Sequence, residues 1–360
     1  MFIKIPLTSS MKTLTKSFKY LSPFVLYALG VFAFTNKGIY CWLPLLFTFF
    51  LIPSIELLIK PDSRNLDEVE ESLAKKNKAY DLILYLAVIL QYYSLWLFLS
   101  NFDLHNLTTF EVVGRVFSMG LLCGTFGINV AHELGHRVNF FEQLLAKMLL
   151  LTSLYMHFFI EHNKGHHKHV ATPHDPSTAK LNQPVYLFWP QTLIGTYKSA
   201  WRISIQEAKK NNKLFYLVNN EMFLFQAIQI AFTFCIYFIF GLPVTLLFIA
   251  AAFIGALLLE TVNYIEHYGL TRQQTNNNQY ERVQPEHSWN SNHIIGRLLL
   301  FELSRHSDHH YMASRKYQIL RNIDKAPQMP TGYPGMILLS LFPPLWFNVM
   351  HKQLKEQEIL

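Results

Sequence analysis

Charge is scarce in this chain of 360 residues. Asp, Glu, Lys and Arg together make up 15% of it, where a soluble domain of this size carries about a quarter. With 51% hydrophobic and 15% aromatic residues, that deficit excludes an ordinary water-soluble globule and points to lipid as the solvent for part of the chain. Cysteine is scarcer still. Cys41, Cys123 and Cys235 stand far apart, each inside an apolar run. No CxxC pair exists, which excludes a zinc ribbon or a fused four-cysteine iron module, and buried, inert thiols are expected. Internal repeats and low-complexity tracts are absent. The few charges lean basic, 31 Lys+Arg against 24 Asp+Glu. That excess suits an anionic membrane surface or an acidic protein partner, and no nucleic-acid partner is expected.

What the chain has in quantity is long apolar stretches and histidine. Six stretches, at approximately 18–35, 39–59, 80–100, 112–131, 221–240 and 242–262, are long enough for a hydrocarbon core of about 30 Å. Thr35-Asn36-Lys37-Gly38 joins the first two as a helical hairpin, and Gly241-Leu242-Pro243 joins the last two. Lys12, Lys16 and Lys19 precede the first span, and Lys60, Arg64, Lys75, Lys76 and Lys78 follow the second. The opposite connections are nearly free of Lys and Arg, so the basic loops and both termini are placed in the cytoplasm. Arg115 breaks the pattern, and Glu111 four residues earlier is its expected partner. The first span is read as a retained helix, not a cleaved signal, since no small-x-small site follows it. The apolar stretch at 143–160 is read as a helix on or partly in the cytoplasmic face. The predicted fold is therefore a single-domain, all-α integral membrane protein of six transmembrane helices. Its cytoplasmic cap comprises residues 132–220 and 263–360.

Sixteen histidines are present, fourteen of them between His132 and His310. Nine fall in four groups: HELGH (His132, His136), EHNKGHH (His162, His166, His167), NYIEHYG (His267) and RHSDHH (His306, His309, His310). On a helix, residues i and i+4 project from one face, so two imidazoles can converge on one ion. His132/His136, His162/His166 and His306/His310 keep that interval, while His167 and His309 project at an angle and can reach a second ion. These donors exceed the need of one ion, so two metals are expected. Imidazole suits iron, zinc, copper or nickel rather than magnesium or calcium. Glu133, Glu161, Glu266 and Asp308 each stand beside a histidine as candidates to accept its second ring N–H. HELGH alone also reads as a zinc-protease motif, but that reading leaves the other seven histidines unexplained. A metal transporter would hold its site near the bilayer midplane, whereas these histidines cluster at span ends.

At these motifs the chain resembles the membrane-bound alkane 1-monooxygenases, within the histidine-box desaturases and hydroxylases. The resemblance lies in EHNKGHH with VATPHDP, NYIEHYGL, WNSNHIIG, RHSDHHYMASRKYQ and APQMPTGY. It implies a non-haem centre of two Fe ions held by His132, His136, His162, His166, His167, His267, His306, His309 and His310. It further implies electrons from a rubredoxin served by an NAD(P)H-linked reductase, an n-alkane and O2 as substrates, and a primary alcohol as product. The bacterial inner membrane is the implied location. A related hydroxylase or desaturase acting on a fatty-acyl chain is the nearest alternative. His169 and His174 stand where the family usually carries acids, and neither is assigned as a ligand. Trp42, Phe47, Phe50, Leu51, Ile55 and Leu58 are candidate walls of a substrate channel. Lys164, Lys168, Arg305, Arg315 and Lys316, beside the ligand motifs, are candidates to dock an acidic electron carrier.

Overall fold

The computed structural model describes residues 16–210, 220–275 and 277–359. Lys12 and residues 211–219 of the first polar block lie outside them. Among the described residues the fold is helical, with only two isolated β-bridges. Five helices among the described residues are long and apolar enough to cross a bilayer. They are α1 (Phe18–Thr35), α2 (Gly38–Glu56), α3 (Ala79–Ser100), α4 (Thr109–Gly135) and, after the non-spanning α5 (Phe140–Leu151) and α6 (Val185–Lys210), α7 (Glu221–His267).

The 47 residues of α7 contain the turn expected between two spans. Gly241 sits at φ 79°, ψ 169°, outside helical space, and Pro243 follows it. Glycine adopts that φ without steric penalty, and proline cannot donate the backbone hydrogen bond that would bridge the break. The stretch at 143–160 departs from expectation. It is two helices, α5 and Phe158–Glu161, separated by turns in which Leu154 takes φ 49°. This reversal returns the chain to the end of α4 and brings the second histidine motif under the first.

Helix α4 is the most enclosed span, with 83% of its most apolar window buried against 22% for α2. Its contact with α7 is close because glycines face each other. A Cβ on Gly255 would lie 2.6 Å from the Cβ of Cys123 and 3.1 Å from the Gly120 carbonyl. Backbone approach of this kind is how spans associate where lipid removes the hydrophobic drive between them. Gly255→Val is therefore expected to cost about 1–3 kcal/mol through overpacking, read as a lower thermal midpoint in detergent with α-helical circular dichroism retained below it. The lipid-facing side is apolar, with Phe50, Leu58, Ile89, Phe234 and Phe238 exposed. Cys235 is exposed on this side, while Cys41 and Cys123 are buried as expected.

The two ends of the bundle differ in chemistry. At one end, Arg115 donates to the carbonyls of Asn36 (2.8 Å) and Asn101 (2.6 Å). Glu111 is not its partner. The capping box with Thr108 and the Gly38 amide (2.6 Å) occupy that carboxylate, because four backbone N–H groups at a helix start need acceptors. At the other end, the basic 57–78 segment is tied to the later polar segments. Arg305 donates to the Arg64 carbonyl (2.8 Å), Asn65 to that of Asn322 (2.9 Å), and Lys19 pairs with Glu302 (3.7 Å). The histidines gather at this second end.

Candidate metal centre

Four short pieces of chain converge here, each positioned differently. His132 lies in the last turn of α4 and His136 is the residue that caps it. His267 is the last residue of α7, held by Trp289, whose N–H donates to the Glu266 carbonyl (2.9 Å). The Asn290 side-chain oxygen accepts from the Ser307 N–H (2.8 Å) at the start of α8 (His306–Tyr311), fixing the third motif. His162–His166 forms a π-helical turn.

These pieces place all nine motif histidines in two groups. His132, His136, His162, His167 and His309 form the first, and His166, His267, His306 and His310 the second, with the candidate ligand atoms of each group within 4.8 Å of one another. Facing ring nitrogens approach to 2.9 Å (His132 and His309), 3.0 Å (His162 and His167), 3.1 Å (His167 and His309) and 3.3 Å (His267 and His306). The grouping corrects one expectation from spacing. His162 and His166, four apart, go to different groups, and His162 joins His167, five apart. The widened turn is the reason, since a π turn closes on i+5 and puts those two side chains on one face.

The donor set fits metal cations. A neutral imidazole has one N–H and one lone pair, so rings converging this way cannot satisfy one another. The Nε2 atoms of His136 and His166 and both ring nitrogens of His310 are buried without a hydrogen-bond partner. Each such orphan costs about 1–3 kcal/mol unless something binds it. Burial, helped by neighbouring imidazoles, pushes His162, His167, His306, His309 and His310 well below the ordinary histidine range, and His136 to about 3. The rings are thus neutral near pH 7 and have lone pairs to give.

The carboxylates divide. Glu266 reaches a histidine, but on the facing helix. Its Oε2 is 3.2 Å from His306 Nε2, while Tyr333 donates to its Oε1 (2.8 Å). Glu161 is buried with Oε1 unpartnered. Burial, reinforced by the charge of Asp175, raises its pKa. Glu133 accepts from Arg137 (2.6 Å) and the Tyr317 N–H (3.2 Å). Asp308 accepts from Arg321 (2.7 Å) and Arg315 (3.1 Å). Both carboxylates thus face arginines, not imidazoles, and brace the ligand helices from behind.

Two acids were missed from sequence. Asp175 accepts from His166 Nδ1 (3.0 Å) and from Thr178 Oγ1 (2.6 Å), which orients the ring and aims Nε2 into the second group. Burial disfavours charge on His166, but the Asp175 carboxylate outweighs it and raises the ring's pKa. Asp175 follows His174 in ATPHDP, nine residues beyond His166 and so outside the adjacency that marks the other carboxylates. Glu260 accepts from Tyr155 (2.7 Å) and Thr192. A carboxylate inside the apolar run LLLETV is itself a signal of a built polar site. His157, His169, His174, His287 and His293 belong to neither group.

A small apolar cavity lies among the spans, lined among others by Thr48, Phe49, Leu121, Leu259, Val262 and Leu303. Of the expected channel walls, Phe50, Leu51 and Leu58 face outward instead. The face of α2 that lines the cavity is that of Thr48 and Phe49, within the π segment Phe47–Leu51.

Residues 108–340 match the fatty acid desaturase family model. Alkane 1-monooxygenase 2 of Pseudomonas aeruginosa is 38% identical over 317 residues, covering 87% of this chain and 84% of that protein. The chain belongs to the alkane 1-monooxygenase family. The enzyme of Acinetobacter baylyi is 37% identical over 85% of this chain and 75% of its own length. Alkane 1-monooxygenase 1 of Alcanivorax borkumensis is 36% identical over 91% and 81%. This member of the family is accordingly an oxidoreductase of the monooxygenase type, and its apolar helices mark it as an integral membrane protein.

Proposed function

We propose that this enzyme hydroxylates the terminal methyl group of medium- or long-chain n-alkanes to primary alcohols, with O2 and two electrons delivered by a rubredoxin. The observation that carries the proposal is the gathering of nine histidines into two groups at one end of the apolar spans. The nine histidines would hold two iron ions, which supply reductive activation of dioxygen. Everything else falls to the protein. An alkane offers no polar handle, so its binding among the apolar spans rests on burial, at about 0.8 kcal/mol for each methylene. An eight-carbon alkane gains roughly 6 kcal/mol before entropy is subtracted. The carboxylate of Asp175 holds the His166 ring in orientation through its second nitrogen.

We further propose six crossings, with the break at Gly241 as the last hairpin turn, in the bacterial inner membrane. The basic 57–78 segment and the histidine end then face the cytoplasm, as the distribution of Lys and Arg favours. The test is conversion of n-octane or hexadecane by iron-loaded enzyme with rubredoxin and its NAD(P)H-linked reductase, followed by gas chromatography. Primary alcohols are expected. The match to a fatty acid desaturase model favours one second reading, and alkenes without alcohols would establish it in place of the first.

A further inference from the structure

Of the cations expected to dock an electron carrier, Lys168 is exposed and the other four are engaged by partners within the chain. Lys164 pairs with Glu207 (2.7 Å), Arg315 with Glu71 (2.7 Å) and Lys316 with Asp81 (2.8 Å). Arg305 is buried and spends its guanidinium on the carbonyls of Leu320 (2.6 Å) and Arg64 (2.8 Å). A different basic surface remains open. Lys180, Lys198 and Arg202 are exposed, have no ion pair among the described residues, and line one concavity of about 620 Å³ together with exposed His174. Among the described residues, Asp175 is its sole acidic lining residue, buried in the wall, with its charge committed to His166 and Thr178.

This surface has charge of one sign and sits one side chain away from a ring of the second histidine group. We propose that it is the docking site of a small acidic one-electron carrier, and that electrons pass from it through Asp175 to His166. The inference rests on the reading of the enzyme as an electron-requiring hydroxylase. The balance is RCH3 + O2 + 2e⁻ + 2H⁺ → RCH2OH + H2O, so two reduced carriers are each oxidised by one electron per turnover, with protons from water. An anionic lipid headgroup would meet the same cations. What favours a carrier is the hydrogen bond of 3.0 Å leading from the wall of the concavity to a candidate ligand, a connection a lipid has no use for. Charge complementarity at such a surface acts strongly on encounter and is screened by salt.

The test is direct binding of a purified rubredoxin to the enzyme in nanodiscs at low ionic strength. In the variant Lys180→Glu/Lys198→Glu/Arg202→Glu the Kd is expected to rise by about tenfold or more, with a flattened salt dependence. Lys75→Glu/Lys76→Glu, on another exposed basic segment, should stay within about twofold of wild type. Metal content and thermal midpoint report whether the variants are folded. If the triple variant does not accumulate, Lys198→Glu alone should raise the Kd several-fold. A Kd unmoved by the reversals would overturn the proposal. So would an unmoved Kd accompanied by loss of co-purifying anionic lipid in native mass spectrometry, which would make the concavity a headgroup site. Failure of wild-type enzyme to oxidise any alkane, with the Kd shift present, would instead count against the substrate assignment alone.

Discussion

Alanine at His162 and alanine at His166 are expected to remove different ions. Each should reduce iron from two ions to one per chain, with turnover falling to background in both, and the double substitution should bind essentially none. The reason is the π turn, which sends His162 to the group of His132, His136, His167 and His309, and His166 to the group of His267, His306 and His310. His309→Ala should behave as His162→Ala does, although it comes from another motif. Iron analysis together with Mössbauer spectra of the single variants is the measurement. Were His162→Ala and His166→Ala to deplete the same spectroscopic site, the two-group assignment would be wrong. Activity loss alone would not decide it, because removing either ion disables a centre that needs both.

The second large effect is expected at Asp175. Asp175→Asn keeps the volume and loses the charge, so the amide no longer stabilises a donated His166 N–H as the carboxylate does. Loss of such an outer partner costs about 10–100-fold in metal affinity or activity. Chelator titration should find the ion of the second group released at lower chelator concentration, with the first group unaffected. Glu133→Gln provides the contrast. Its carboxylate faces Arg137 and the Tyr317 N–H, so that variant should lower the thermal midpoint without selective loss of either ion. Equal loss of both ions from Asp175→Asn would mean that orienting and bracing carboxylates do not differ in their hold on the metals.

Much of this was legible in the order of residues. The shortage of charge and the long apolar runs required a membrane, and the bends at Gly38 and Gly241 lay where turn residues stood. The nine histidines stood out by spacing, and all nine meet in the two groups. Local chemistry is enough for such features, because a span is defined by its own length and a ligand pair by its own helix.

What sequence spacing misjudged depends on contacts between distant segments. Four-residue spacing paired His162 with His166, but a π turn divides them, and that turn is stable only within the packing around it. Adjacency nominated Glu133 and Asp308 as partners of histidines, yet arginines arriving from elsewhere take them, while Asp175 reaches His166 from beyond the turn. The same rule engaged Arg305, Arg315 and Lys316 with partners in the fold and left Lys180, Lys198 and Arg202 unpaired among the described residues. Charge and hydrogen-bond partners are chosen by proximity in space after burial has made an unpaired group costly. The sequence by itself determined that this protein lies in a membrane and carries nine converging histidines. Only the tertiary structure decided how they divide, what holds each ring, and which cations remain free to meet a partner.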